Sequence, residues 1–462
     1  MLHMTAQDIA AAVTAGSLDP VEVTDAFLGR ITARNPDLNA LVGFDPALAR
    51  KAAIAVRSRV ASGEPMALAG VPVVVKDNIW VAGRNITQGS RLFADFKAPE
   101  DAIAVARLRQ AGAVVIGIGN CPEFVCKGVT NSPHNGIARH PLNPRLTPGG
   151  SSGGNAAALA ADFAPIALGT DGGGSGRRPS AHTGTVGFKP SFGAIPYGPG
   201  FPEPYWGIAV IAPMARTVGD VRLLFDTVAG ADPRDPESIE VAPASAAEPH
   251  RLRFAYSPRL GLDVAVDADV DAAIEAALAL IEAAGWTIDR ADPMWPPGLN
   301  DASLVPLQAA GLAALHGEAW RRDPSQFDAD VAEMIAWGVT LSGTAVADVL
   351  ETSARIKRAV AELFVSHDVL VCPTAPCVAW PSSELGPSRI GGRAVTPRAH
   401  AIFTPFFNHA LVPAISIPCG RGRAGLPVGL QLIARHGEDR RLLATAAAIE
   451  TVLEPLNRYC RS

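Results

Sequence analysis

Three features of the chain carry residue types that can do chemistry. The first is Pro148-Gly149-Gly150-Ser151-Ser152-Gly153-Gly154-Asn155, where glycine pairs flank two serines. Paired glycines imply backbone angles that other residues avoid. A phosphate-binding loop is excluded, because that loop ends in Gly-Lys-Ser/Thr and no lysine is present. The second is Gly169-Thr170-Asp171-Gly172-Gly173-Gly174-Ser175-Gly176-Arg177. Three glycines before a serine leave backbone N–H groups free to converge on one point, as an oxyanion hole requires. Ser175 is placed to act as a nucleophile. A serine is weak at its own pKa and needs a base, and no histidine follows until His182. The third is Lys76, which closes the apolar run Val71 to Val75; only six of the 40 basic residues are lysine. A lysine there either snorkels to solvent or loses its charge, and a neutral lysine is a competent general base. Taken singly, each feature also fits a plain turn or a strand-end surface lysine.

The elements that must position these residues follow from pattern. Thr5 caps a helix through Val13, and Asp19-Pro20 opens a second that ends near Asn35-Pro36. Val71 to Val75 and Ala113 to Ile118 are continuous apolar runs, predicted as buried strands, with a helix over Asp101 to Gln110 between them. Glycine, serine, proline and asparagine crowd residues 128 to 200. That stretch still embeds Ala156 to Ala161, a helix, and Ala164 to Leu168, a strand, so its glycines sit at turns of a packed domain. Leu252 to Tyr256 and Trp286 to Ile288 read as strands flanking a helix from Asp267 to Ala284. Val346 to Phe364 reads as one long helix, Val369 to Val371, Ala414 to Ile417 and Leu430 to Ile433 as short buried strands, and Pro381 to Pro397 as a surface loop. Alternating helices and apolar strands predict an α/β fold.

The 462 residues, 48% apolar, suffice for one large core. A net charge of −5 without a basic run does not suggest nucleic-acid binding. Cys121, Cys126, Cys372, Cys377, Cys419 and Cys460 lack zinc-site spacing and are expected as free thiols in a reducing cytosol. No targeting signal and no run of about 20 apolar residues is visible, so a cytoplasmic protein away from the membrane is expected.

Together these blocks resemble the amidase-signature family. Gly70-Val-Pro-Val-Val-Val-Lys-Asp-Asn78, Gly149 to Gly154, and Asp171 to Ser175 with Arg177 match its signature blocks. So do Gly187-Phe-Lys-Pro190, Pro213-Met-Ala-Arg-Thr-Val218 and Gly425-Leu-Pro-Val-Gly-Leu-Gln431. The resemblance runs from about residue 5 to 455. It implies one domain over 1–462, a mixed central sheet covered by helices on both faces. A catalytic core would span about 60–220, a variable helical region 231–350 and returning core strands 365–440. It implies a Ser–cis-Ser–Lys triad with Ser175 as nucleophile, Ser151, after a cis bond from Gly150, as the bridging serine, and Lys76 as base. It also implies an oxyanion hole at Gly172, Gly173, Gly174 and Ser175, support from Ser152, Asp171 and Arg177, and neither metal nor cofactor. Gly176, the doubled Arg177-Arg178 and His182-Thr183-Gly184 depart from the family pattern beside the nucleophile.

The expected substrate is a small neutral amide or carbamate with an aryl or bulky apolar group, since bacterial members of the family include aryl acylamidases and urethanases. Asn131, Tyr197, Phe201, Tyr205, Trp206 and Trp337 are the candidate pocket residues, with His316 and Trp320 in a region able to form a lid. The open surroundings of Gly172 to Gly174 and Gly176 would admit a carbamate's alkoxy arm. No cationic cluster dedicated to a carboxylate is visible in the sequence, Arg178 being the single candidate. One rival is the glutamine-hydrolysing subunit of a tRNA-dependent amidotransferase. That subunit carries an aspartate where this chain has Ala401, in His400-Ala-Ile-Phe-Thr404. A non-catalytic scaffold is the rival from another class, and a homodimer is left open.

Overall fold

A computed structural model describes residues 1–243, 251–422 and 424–457. Cys460 lies outside the described residues; the other five cysteines are buried free thiols. Eleven strands form one sheet. In chain order they are β1 (Leu41–Gly43), β2 (Pro72–Lys76), β3 (Val114–Gly119), β4 (Ile166–Asp171), β5 (Val186–Lys189) and β6 (Val210–Ala215). The remainder are β7 (Phe254–Tyr256), β8 (Ile288–Arg290), β9 (Val369–Pro373), β10 (Ala414–Arg421) and β11 (Pro427–Ile433). Across the sheet the order is β1-β3-β2-β4-β6-β5-β10-β11-β9-β7-β8.

The fold is therefore α/β with a mixed sheet. β2 runs parallel to both β3 and β4, whereas β4, β6, β5, β10, β11 and β9 pair antiparallel in succession. β2, β3 and β4 are buried along their whole length, which is why they read as apolar runs rather than alternating ones. β5 and β6 escaped the sequence reading as strands, because Gly187 and Pro213 interrupt them. Pro213 nonetheless sits in the ladder opposite Leu168.

The predicted caps are present. Thr5 and Asp8 form a reciprocal capping box, and Asp19 accepts from the Val21 N–H with Pro20 in the first turn. The second helix runs past Pro36 to Leu38. A proline in the last turn forfeits a single helical bond, and left-handed Asn39 then ends the helix.

One large apolar core follows the sheet. A separate cluster of Phe124, Cys126, Leu312, Phe327, Val331 and Ile335 ties the helices Val305–Arg322 and Ala329–Thr340 to the turn at Glu123–Val125. The stretch 381–397 is more than a surface loop. It holds the small hairpin Arg389–Ile390/Arg393–Ala394, and Ile390 is buried against a cluster with Val129, Cys377 and Trp380. Among the described residues no helix is long and apolar enough to cross a membrane.

Candidate active site

β2 and β4 are parallel neighbours with Val75 opposite Leu168, so Lys76 and Thr170–Asp171 emerge at the same sheet edge. The carboxyl ends of parallel strands are where α/β sheets hold ligands. Lys76 is fully buried, and its Nζ donates to Ser151 Oγ at 2.8 Å and to Thr170 Oγ1 at 2.9 Å. Burial brings its pKa down to about 7, against the opposing pull of Cys121 and Asp171. The Gly150–Ser151 peptide bond is cis.

Two glycine-rich loops meet over this lysine. Ser152 joins them: its N–H donates to the Ser175 carbonyl at 3.1 Å and its hydroxyl to the Thr170 carbonyl at 3.1 Å. Thr130 braces the first loop, donating to the Gly149 carbonyl at 2.8 Å and accepting from the Gly153 N–H at 3.1 Å.

The second loop is shaped by Asp171, whose Oδ1 accepts the Gly174 N–H at 2.6 Å and whose Oδ2 accepts the Gly176 N–H at 3.1 Å. Arg177 grips the same carboxylate through Nε at 3.0 Å and Nη2 at 2.9 Å. Its remaining N–H groups reach the Thr404 carbonyl, Gln431 Oε1 and Asn408 Oδ1 at 3.1, 2.7 and 2.5 Å. Arg177 and its partners hold the Asp171 carboxyl well below the usual carboxylate range, outweighing the opposing effect of its burial.

This network corrects one expectation. Gly174 cannot lend its N–H to an oxyanion, because Asp171 already takes it. The N–H groups of Gly172, Gly173 and Ser175 find no acceptor among the described residues. Gly174 has φ +111, and a Cβ there would meet Thr404 Oγ1 at 2.1 Å. Neither it nor Gly176, whose Cβ would lie 2.9 Å from that of Ala212, opens the pocket. Gly173 does face near-empty space, with Pro405 4.0 Å away.

Ser175, 7% exposed, lies where two cavities meet. The smaller, about 20 Å³, is lined by Ser151, Thr170, Asn78, Tyr197, Phe201 and Tyr205. The larger, about 190 Å³, is lined by Gly172, Gly173, Arg178, Arg398, His400 and the helix residues Leu307 and Gln308. Of the candidate pocket residues, Tyr197, Phe201 and Tyr205 line the smaller cavity. Trp206 and Trp337 do not: they are 57% and 42% exposed and line neither cavity. Asn131, in a short hairpin with Ile137, also lies outside both linings. His316 stacks on Phe124 at 3.9 Å, so the helical region packs against the cavity wall through it, and Trp320 joins the same cluster.

Sequence reasoning passed over Thr170, although it was quoted within its own block, and it passed over Arg398 and Lys127 altogether. Their places in the site depend on segments far apart in the chain, and no local pattern marks them.

Buried amine, two hydroxyls and unclaimed N–H groups around one cavity form a site suited to acyl transfer. A family model described as Amidase matches residues 22–443, and the chain belongs to that family, hydrolases of carbon–nitrogen bonds. An acylamidase of Rhodococcus erythropolis is 35% identical, over 98% of this chain and 96% of its own. A glutamyl-tRNA(Gln) amidotransferase subunit of Deinococcus deserti is also 35% identical, over 98% and 97%. A solved structure of a bacterial aryl acylamidase of the amidase-signature family superposes with a TM-score of 0.91 at 26% identity, covering 99% of this chain and 97% of that one.

Proposed function

We propose that this protein hydrolyses an amide bond through an acyl-enzyme on Ser175, with Ser151 and Lys76 relaying the proton. The observation that carries this reading is the 2.8 Å contact between Lys76 and Ser151, buried beside a cavity that Ser175 also lines. With its pKa near 7, Lys76 is largely neutral at mildly alkaline pH and can take the Ser151 proton. Ser151 in turn takes the proton of Ser175 as the Ser175 oxygen bonds to the substrate carbonyl. The N–H groups of Gly172, Gly173 and Ser175 receive the developing oxyanion. As the C–N bond breaks, the proton returns through Ser151 to the leaving nitrogen. Water then attacks the ester by the same route, so amide and water yield acid and amine.

Tyr205, Leu304, Leu307 and Phe406 around the larger cavity, about 190 Å³, support an aryl or bulky apolar group on the substrate. An N-aryl carbamate fits the same chemistry, its alkoxy arm beside Gly173. Glutamine hydrolysis for a partner enzyme is the second reading, favoured by the equal identity to the Deinococcus deserti protein. Against it, Ala401 lines the larger cavity where the resemblance calls for an aspartate.

The test is a panel of anilides, N-aryl carbamates, primary amides and glutamine, with intact-mass detection of the acyl-enzyme. Turnover of anilides with a Ser175 adduct is expected. Glutaminase activity alone would overturn the first reading in favour of the second.

A further inference from the structure

The two cavities are separated by very little. Four residues line both: Val125, Gly172, Ser175 and Tyr205. Ser175 is the nucleophile and Gly172 has no side chain, so Val125 and Tyr205 form the partition. Tyr205 is wedged against the nucleophile loop, since a Cβ on Gly172 would meet its ring at 3.1 Å. Val125 comes from the turn Glu123–Val125, and its backbone is left-handed, with φ +54. A β-branched residue is an outlier in that region, which glycine enters freely. The turn is pinned from several sides. The Phe124 N–H donates to the Gln88 carbonyl at 2.8 Å and the Val125 N–H to the Pro122 carbonyl at 3.0 Å. Glu123 accepts from Ser90 Oγ at 2.8 Å and from the Asp328 N–H at 2.7 Å, and Gln308 Nε2 donates to the Cys126 carbonyl at 2.8 Å.

A strained valine where glycine would be relaxed needs a reason, and core packing does not supply one. Its neighbours Phe124 and Cys126 belong to the cluster with Leu312 and Ile335, whereas Val125 belongs to no apolar cluster among the described residues. It is half-buried, at the junction of the two cavities. Strain held in place at a binding surface points to function. The smaller cavity, about 20 Å³, has room for about one water molecule or one methyl group. An aryl ring fits only the larger, so an anilide places its ring there and its acyl group in the smaller. We propose that Val125 is the specificity-determining wall of the smaller cavity and restricts the acyl group to about the size of acetyl, an assignment that rests on the acyl-enzyme reading above. The preferred substrates are then short-chain acyl arylamides.

The test compares the 4-nitroanilides of acetic, propanoic and butanoic acid on wild type, Val125→Ala and Val125→Gly. In wild type, kcat/KM is expected to fall about 10²-fold from acetyl to butanoyl, as when extra methylenes meet a close-fitting wall. Val125→Gly is expected to bring that ratio below about 5, with Val125→Ala between the two. Thermal unfolding of Val125→Gly should stay within a few degrees of wild type, because glycine adopts φ +54 without strain. A large loss of stability in both variants would assign the side chain to packing and overturn the proposal. The same fall with chain length in wild type and both variants, with an acyl-Ser175 adduct, also overturns it and leaves the acyl-enzyme reading standing. So does wild-type turnover of the butanoyl compound as fast as the acetyl one. Absence of an adduct from every anilide overturns both.

Discussion

Adjacent arginines face the two sides of the active loop and behave as opposites. Arg177 lies beneath it, fully buried, with every direction of its guanidinium spent on Asp171, Thr404, Asn408 and Gln431. Arg178 lies above, equally desolvated, with an Nε that no described residue meets. A saturated network fixes geometry, whereas an unsaturated one is poised for something the protein does not itself provide. The same division runs through the whole site. Below Ser175 the Asp171–Arg177 network is filled, whereas Arg178 Nε, Arg398 Nε and His400 Nδ1 around the larger cavity find no partner among the described residues.

The strongest test of that division is to remove the atom at its boundary. Ser175→Ala should cut kcat by about 10⁴-fold or more while leaving thermal unfolding unchanged, since only a hydroxyl facing a cavity is lost. Residual activity above a tenth of wild type would assign the attack to another residue.

Next comes the base on the saturated side. The active form of Lys76 is the neutral one, so acylation should rise with pH through about 7 and level off above it. Lys76→Ala should remove that limb together with about 10²- to 10⁴-fold of the rate. Lys76→Arg should not restore it, because a guanidinium stays protonated. Lys189 is a second buried lysine brought to about 7 by burial, and its Nζ donates to the Pro190 carbonyl at 2.9 Å. In Lys189→Met the limb should keep its midpoint. Stopped-flow acylation across pH 5.5 to 9 settles the assignment, and an identical limb in wild type and Lys76→Ala defeats it.

The arginine pair itself can then be broken apart. Arg177→Met strands a buried Asp171 carboxylate and should cost about 3–5 kcal/mol in denaturant unfolding. Arg178→Met removes a charge that makes no direct ion pair among the described residues and should change stability by less than about 1 kcal/mol. Equal losses would erase the distinction drawn between them.

The smallest expected effect is at Thr170. Its hydroxyl accepts from Lys76 and so favours the charged amine. Thr170→Val should move the acylation midpoint below that of wild type, and an upward movement would contradict the hydrogen-bond direction.

Much of this could be read from the chain. The strands at Pro72–Lys76 and Val114–Gly119 announce themselves because both faces are buried, and Lys76 is conspicuous at the end of such a run. The glycine blocks stand out because their backbone angles and close approaches exclude other residues, as at Gly174. What stayed hidden is the wall of the larger cavity. Arg178, Arg398 and Lys127 come from three separate segments, and nothing near any of them in sequence foretells that they face one space. Exposed Trp206 and Trp337 show the converse error, in which residue type alone suggested a lining that packing does not provide.

The Arg177 network also bears on how the molecule comes into being. Its partners lie 227, 231 and 254 residues further along the chain. At ribosomal rates the last of these is made roughly 13 to 50 s after Arg177 itself. Until then Arg177 lacks three of its acceptors and Asp171 the Asn408 amide that donates to it, so the loop bearing Ser175 is held only by its own local contacts. A nascent or truncated chain therefore holds the nucleophile without the mould around it, and competence arrives only with the closing strands of the sheet.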